Sequence, residues 1–446
     1  MRRCRNWWVL VGLAACWASA AQAQGGASDA DRASAPDVAE DEGFFEWGFE
    51  AKAHFRSSDA VTVGPTLDAG GTTPVLLETV EAGEHFEIST ITLFAGARWS
   101  PTLEGRIKVD FIDRYERNPT STDEEVDIDE AWLRFGRAIE PGEPYDGRRI
   151  YAKVGKFPHF ERQEDRQLES YGLVSTTFNR LEDVGLELGA DLGRRFYVKA
   201  SFTEGNPVFF RDPNALAGDT GATLLDPENA ELGGGLGLLY DADVGLDEVD
   251  FDHPEIGVAL GMRHGDGSGL RQLDVLLWAY RRDVAPGVEL DGSTLEGDLA
   301  LLRGLGPGQP LPFRGDEKRE WGANVWYHDG PFTFFAQYVD QELAELPRRG
   351  FETELSWYFE LPLVWGTGRQ QLFPSLTPVL RYSRLLVDFE HPPVTPLPSR
   401  AWDWYKVDVG LRLEVLAGLD LTAEYAFNHG YLTDVNEFLT TVRWRR

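Results

Sequence analysis

From Phe45 onward the chain alternates apolar and polar residues with a period of two, the signature of extended strands whose two faces meet different surroundings. Phe45, Trp47, Phe49, Ala51, Ala53 and Phe55 interleave with Glu46, Gly48, Glu50, Lys52, His54 and Arg56. Leu103, Gly105, Ile107, Val109 and Phe111 interleave with Glu104, Arg106, Lys108 and Asp110. The same rhythm returns from Val184 to Leu192, Phe196 to Phe202, Val407 to Val415 and Leu419 to Phe427, and Phe438, Thr440, Val442 and Trp444 share one face of a final segment. In all there are about seventeen such segments of roughly ten residues, with no amphipathic helix of convincing length between them.

A β-sandwich also alternates, but it rarely sustains long strands whose polar face is so heavily charged. Strands of about 9 to 11 residues, apolar toward lipid and polar toward a lumen, closed so that no backbone edge meets hydrocarbon, are what a transmembrane barrel requires. The expected class is therefore all-β, an antiparallel membrane barrel. The connections agree. Ser100-Pro101-Thr102, Gly193-Arg194-Arg195, Asp329-Gly330-Pro331 and Ala417-Gly418 read as tight turns, whereas Phe157 to Asp183, Gly205 to Glu231 and Asp283 to Lys318 are long and polar, as loops at the opposite rim would be. Trp99, Tyr115, Trp132, Tyr327, Trp357, Trp402 and Trp444 lie near strand ends and suit interfacial girdles.

Charge and length narrow the function. The 446 residues carry 74 Asp plus Glu against 43 Lys plus Arg, a net charge of -31, which repels a polyphosphate and excludes nucleic-acid binding. Arg2, Arg3 and Arg5, the apolar run Trp7 to Trp17, and Ala21-Gln22-Ala23 form an export signal over 1–23, cut before Gln24; losing those three Arg takes the charge from -31 to -34. Leu13-Ala14-Ala15-Cys16 offers a competing lipoprotein processing site in which Cys16 is lipidated. Cys4 and Cys16 are the only cysteines, so a chain starting at Gln24 has no disulfide framework. Residues 24–43 have the composition of a disordered acidic linker, and 44–446 form the barrel. No stretch reaches the 18 or so uninterrupted apolar residues of a membrane helix.

One region carries a family resemblance. Asp127-Ile128-Asp129-Glu130-Ala131-Trp132-Leu133-Arg134-Phe135 is followed by Tyr151-Ala152-Lys153-Val154-Gly155-Lys156-Phe157, by Phe178-Asn179-Arg180, by Val184-Gly185-Leu186-Glu187-Leu188-Gly189, and by Phe202-Thr203-Glu204-Gly205-Asn206. In this order the stretch resembles Gram-negative outer-membrane porins of the phosphate-selective group, and it is also similar to alginate-export barrels. The resemblance implies a barrel of 16 or 18 strands with a water-filled lumen, residence in the bacterial outer membrane in contact with lipid and lipopolysaccharide, and frequent trimer formation. It also implies an inward-folded constriction loop, here Phe157 to Asp183, with Arg162, Glu164, Asp165, Arg166 and Arg180 as candidate constriction residues.

Pore selectivity depends on the charges that line the lumen. Arg106, Lys108, Arg114, Arg134, Lys153, Lys199 and Arg412 are the candidate lining cations, and Glu130, Glu187 and Asp191 the candidate lining acids. Lys52, Arg56, Lys406, Glu46, Glu50, Glu104, Asp110, Asp408, Glu414 and Glu424 fall on the same face, so the two signs nearly balance. Arg106, Lys108, Arg114 and Arg134 on neighbouring strands make a local anion track, set against the alternative that each pairs across strands. Catalytic motifs, a thiolate site and a zinc constellation are absent, so neither an enzyme nor a cofactor or metal is expected. The sequence points to an outer-membrane porin for small hydrophilic solutes or ions. An exporter of acidic polysaccharide and an exported all-β enzyme or carbohydrate-binding protein are the alternatives.

Overall fold

A computed structural model describes residues 44–59, 61–67, 74–80, 83–112, 126–141, 145, 147–163, 166–178, 182–205, 251, 253–265, 271–283, 317–343, 346–361, 371–387, 403–430 and 434–446. The expected signal segment (1–23) and acidic linker (24–43) lie outside the described residues. The strands are β1 (Phe44–Ser58), β2 (Val61–Leu67), β3 (Pro74–Val80), β4 (Gly83–Ser100), β5 (Leu103–Ile112), β6 (Val126–Gly136), β7 (Ile150–Pro158), β8 (Glu182–Asp191), β9 (Phe196–Thr203) and β10 (Glu255–Gly265). They continue as β11 (Arg271–Asp283), β12 (Glu317–Asp329), β13 (Phe332–Leu343), β14 (Leu346–Trp357), β15 (Phe359–Glu360), β16 (Ser375–Val387), β17 (Trp404–Leu416), β18 (Leu419–His429) and β19 (Asp434–Arg445). Among the described residues one short helix, α1 (Leu173–Thr177), interrupts them.

Wall strands pair antiparallel with their neighbours, and β1 pairs with both β4 and β19, so the sheet closes on itself. The stub β15 continues β14 along β16, and β2 with β3 makes a separate hairpin inside the connection from β1 to β4. The wall therefore contains 16 strands, which decides between the two expected numbers. Closure matters physically because every ladder N–H and C=O finds a partner within the wall and no edge is left facing hydrocarbon. The four tight turns all fall at the rim where β1 begins, and the connections after β1, β5, β7, β9 and β11 leave from the other rim. Gly330 and Gly418 take φ of 57° and 80°, the left-handed region that such sharp reversals need and that glycine enters without a Cβ clash.

The period-two pattern maps onto the two faces. Phe45, Trp47 and Phe55 of β1, Leu186 and Leu188 of β8, Tyr425 and Phe427 of β18, and Phe438, Val442 and Trp444 of β19 are exposed on the outside, with Trp47 at 73%. The intervening polar positions face inward. Trp99, Trp357 and Trp444 are exposed at turn-rim ends of their strands, as girdle residues should be, whereas Tyr327 is buried beside Phe332. Trp132 departs from that expectation: its indole N–H donates to Glu130 at 2.9 Å on the inner face, because it keeps step with Arg134 rather than with Leu133. Tyr115 and Trp402 lie outside the described residues.

The interior also contains an apolar cluster. Leu276, Trp278 and Tyr280 on β11, Trp326 on β12, Phe335 and Val339 on β13 and Leu385 on β16 receive Phe160, Leu173, Val174 and Phe178 from the segment joining β7 to β8. Phe160 stacks on Tyr280 with ring centroids 5.2 Å apart. Each such buried side chain contributes about 1.5–3 kcal/mol, enough to hold the segment against the far wall.

Candidate functional site

The segment between β7 and β8 leaves its own wall, crosses the barrel and docks on the opposite one. Tyr280 donates its hydroxyl proton to Glu161 at 2.6 Å, and Gln337 donates to the Glu161 carbonyl at 3.2 Å. The Gln167 N–H donates to Glu354 at 3.0 Å and the Val174 N–H to Glu352 at 3.1 Å. Glu424 accepts from the N–H groups of Glu169 and Ser170 and from the Ser170 hydroxyl at 2.6 Å. Arg381 donates to the Ser170 carbonyl at 2.8 Å and to Asp408 at 2.9 Å, while Lys406 donates to the Tyr171 carbonyl at 2.9 Å. Backbone groups that would otherwise be orphaned in an irregular loop are thus met by side chains of the wall, as a buried loop demands.

Charge reinforces the docking. Glu169 lies 3.2 Å from Lys52 and 3.2 Å from Arg443. Burial alone would raise its carboxyl, but the cations Lys52, Arg412 and Arg166 outweigh that and hold it at about 2. His159 opens the segment 3.3 Å from Asp183 and 3.6 Å from Glu161. Burial would lower its imidazole; hydrogen bonding to the two carboxylates prevails and lifts it to about 10. Ligand atoms of His159, Asp183 and Glu255 lie within 4.8 Å of one another. Lys318 is 2.7 Å from Glu255, so protein cations already neutralise the acids of this knot.

The predicted lining residues fall into three groups. On β5 and β6, Arg106 is 3.4 Å from Glu130, Lys108 is paired with Asp129 and lies 3.7 Å from Asp110, and Arg134 is 2.7 Å from Glu104. On β7 to β9, Lys153 is 3.3 Å from Glu187, Asp191 pairs with Arg263, and Lys199 is buried on the inner face. Arg412 stands apart on β17, 3.0 Å from Asp420. In the crossing segment Arg162 pairs with Glu182, and Arg166 stacks on Tyr171 at 3.5 Å. Arg114, Glu164, Asp165 and Arg180 lie outside the described residues.

Sequence reasoning missed Asp129. The β5–β6 register shifts at Lys108/Val109, a bulge that turns Asp129 inward beside Glu130. The one available signal was the break in alternation at Asp129-Glu130. The wall acids that receive the crossing segment, Glu352 and Glu354, were also missed, along with Arg381; the alternation Phe351-Glu352-Thr353-Glu354-Leu355 was the signal that places both acids on the inner face.

Exposure of the inner face is uneven. The side chain of Arg106 is 44% exposed and those of Lys108 and Glu104 25%, whereas Arg381, Lys406 and Asp408 across the barrel are fully buried beneath the docked segment. The inner-face charges that stay accessible lie along β5 to β7.

No family model matches the chain, and no curated protein does. Solved structures do match in fold. OprB of Pseudomonas putida superposes with a TM-score of 0.50 at 10% identity over 90% of this chain and 94% of that one. The outer membrane channel DcaP of Acinetobacter baumannii gives 0.47 at 11% identity, covering 91% and 98%, and OmpT, an outer membrane protein of Vibrio cholerae, gives 0.44 at 11%, covering 92% and 100%. The likeness to OprB is one of fold alone: a closed antiparallel β-barrel, here of 16 strands with an apolar outer face.

Proposed function

We propose that this barrel serves as an outer-membrane channel through which small hydrophilic solutes or ions diffuse along the wall formed by β5 to β7. The observation that carries the reading is the uneven exposure of the inner face, which leaves Arg106, Lys108 and Glu104 accessible while the far wall is sealed by the docked segment. The accessible charges alternate in sign: Arg106 with Glu130, Lys108 with Asp110 and Asp129, Arg134 with Glu104, Lys156 with Asp127. Such a ladder conducts both signs with weak preference, since each cation is countered within one side-chain length. A phosphate-specific channel or an exporter of acidic polysaccharide would want an unbroken cationic track, which this ladder does not supply.

The test is single-channel recording of the refolded protein in a planar bilayer. Stable ohmic steps with a chloride-to-potassium permeability ratio within a few-fold of one are expected. Saturable current for phosphate would overturn weak selectivity, and a folded protein that never inserts would overturn the channel.

A further inference from the structure

The turn-rim connection between β6 and β7 does not stay at the rim. Ile139 is fully buried in the same cluster as Tyr151 and Tyr197 on the inner wall. Arg149 fixes this inward course, donating from its guanidinium to the Ala138 carbonyl at 3.2 Å and from its backbone N–H to Asp191 at 2.8 Å. The result is that Glu140, an acid from the turn, is carried into the mouth of the barrel, 3.7 Å from the Arg134 guanidinium. Its side chain is half exposed, although protein surrounds it at longer range. Enclosure would raise its pKa; Lys199, Lys153, Arg134 and Arg149 act on it together and bring it below the usual carboxylate range.

Two of these cations have closer partners, Glu187 for Lys153 at 3.3 Å and Glu104 for Arg134 at 2.7 Å. Lys199 differs. It is 5% exposed on β9 and makes no direct ion pair or hydrogen bond among the described residues. An ammonium on the inner face with no counter-ion in contact attracts an anionic group at longer range. The nearby acids are partly engaged by tyrosines: the Tyr151 hydroxyl donates to Glu187 at 2.6 Å and the Tyr197 hydroxyl to Asp274 at 2.7 Å. Glycines make those rings possible, since a Cβ on Gly189 would sit 2.2 Å from Tyr151 and one on Gly261 1.9 Å from Tyr197.

We infer that Arg134, Lys153, Lys199 and Arg149 form a subsite for a single carboxylate group at the turn-rim mouth of the barrel, occupied by Glu140 as a tethered competitor. The inference rests on the channel reading, because a solute carboxylate would reach the subsite through the lumen. Glu140 is the chemical guide to the ligand: a carboxylate on a short, half-exposed side chain holds the place and yields it by swinging into water.

Acetate is the probe. Saturation-transfer NMR on the detergent-solubilised full chain should show the acetate methyl signal rising about two- to fivefold in Glu140→Gln, the range expected for removing one partly screened competitor charge, and returning to the wild-type level in E140Q/K199Q. Should K199Q fail to fold, E140Q/R134Q serves, since Arg134 keeps some exposure. In planar bilayers E140Q should raise the chloride-to-potassium permeability ratio by a similar factor. Equal acetate signals in wild type, E140Q and the folded double variant would overturn the subsite whether or not the protein conducts. An acetate response without conductance steps would support the subsite and overturn the channel.

Discussion

Glu424 is the acceptor on which the crossing segment turns toward the far wall, and its removal tests the docking quantitatively. It receives the Glu169 and Ser170 N–H groups and the Ser170 hydroxyl, with Glu169, Ser170 and Glu424 all buried. A hydrogen bond to a charged acceptor contributes about 1.5–3 kcal/mol, and a buried donor left without a partner costs a similar amount. Glu424→Ala does not release the segment altogether, because Arg381 still holds the Ser170 carbonyl at 2.8 Å, Lys406 the Tyr171 carbonyl at 2.9 Å, and Lys52 and Arg443 the Glu169 carboxylate at 3.2 Å each. The free energy of local opening should therefore fall by about 3–5 kcal/mol, which is roughly two to four orders of magnitude in amide exchange. Native-state hydrogen exchange of a peptide spanning 166–173 reads this directly, with peptides from β4–β5 and β12–β13 as internal controls. Glu424→Gln, which keeps one acceptor oxygen without the charge, should lose about half as much. Unchanged exchange at Glu169 and Ser170, or an equal loss across the control strands, would refute the idea that Glu424 pins the segment locally.

Thermal stability in detergent should peak between about pH 5 and 7. His159, lifted to about 10 from 6.5, stabilises the fold fully below pH 6.5 and less as pH rises toward 10; Glu169, held at about 2 from 4.5, stabilises it above pH 4.5 and less as pH falls toward 2. His159→Gln should flatten the alkaline limb, and persistence of that limb in the variant would refute the assignment. Gly261→Val should lower stability by about 2–4 kcal/mol, because the new side chain displaces the Tyr197 ring and breaks its bond to Asp274, and a chemical-denaturation midpoint equal to wild type would contradict this. Replacing Arg106 and Lys108 together by Gln should shift the permeability ratio toward cations by about two- to fivefold, as reversal potentials would report, since both lie on the accessible wall.

Face assignment was legible in the sequence because a strand offers only two faces. Phe45 through Phe55, Val184 through Ala190 and Leu419 through Phe427 each fall on the outer side that their alternation predicts. The strand number was not legible, since the β2–β3 hairpin carries strand-forming residues like any wall pair and only its pairing partner reveals that it stands outside the wall. The crossing segment could be located by its length, but not its docking: Phe160, Leu173, Val174 and Phe178 have no periodicity, and their partners lie on strands well over a hundred residues later. Glu140 and Ile139 gave no signal because a turn has no face to read; what draws them inward is the cation cluster and apolar wall assembled by β6 to β9.

The seam between β1 and β19 governs how fast such a molecule is able to assemble. His54 and Thr441 meet at 2.7 Å across a separation of 387 residues, Phe49 and Arg446 exchange two backbone hydrogen bonds of 2.9 Å, and Arg445 reaches Glu50 at 2.7 Å. Loop-closure entropy grows only logarithmically with separation, yet it must be met before this pairing returns anything, whereas every other wall pairing is available to a local hairpin or near neighbour. Until the seam forms, both flanking edges stay unpaired and act as templates for other chains. A circular permutant opened at Gly330-Pro331, with a short linker joining 446 to 44, would convert the most distant pairing into a hairpin and move the slow step of folding to the β12–β13 boundary.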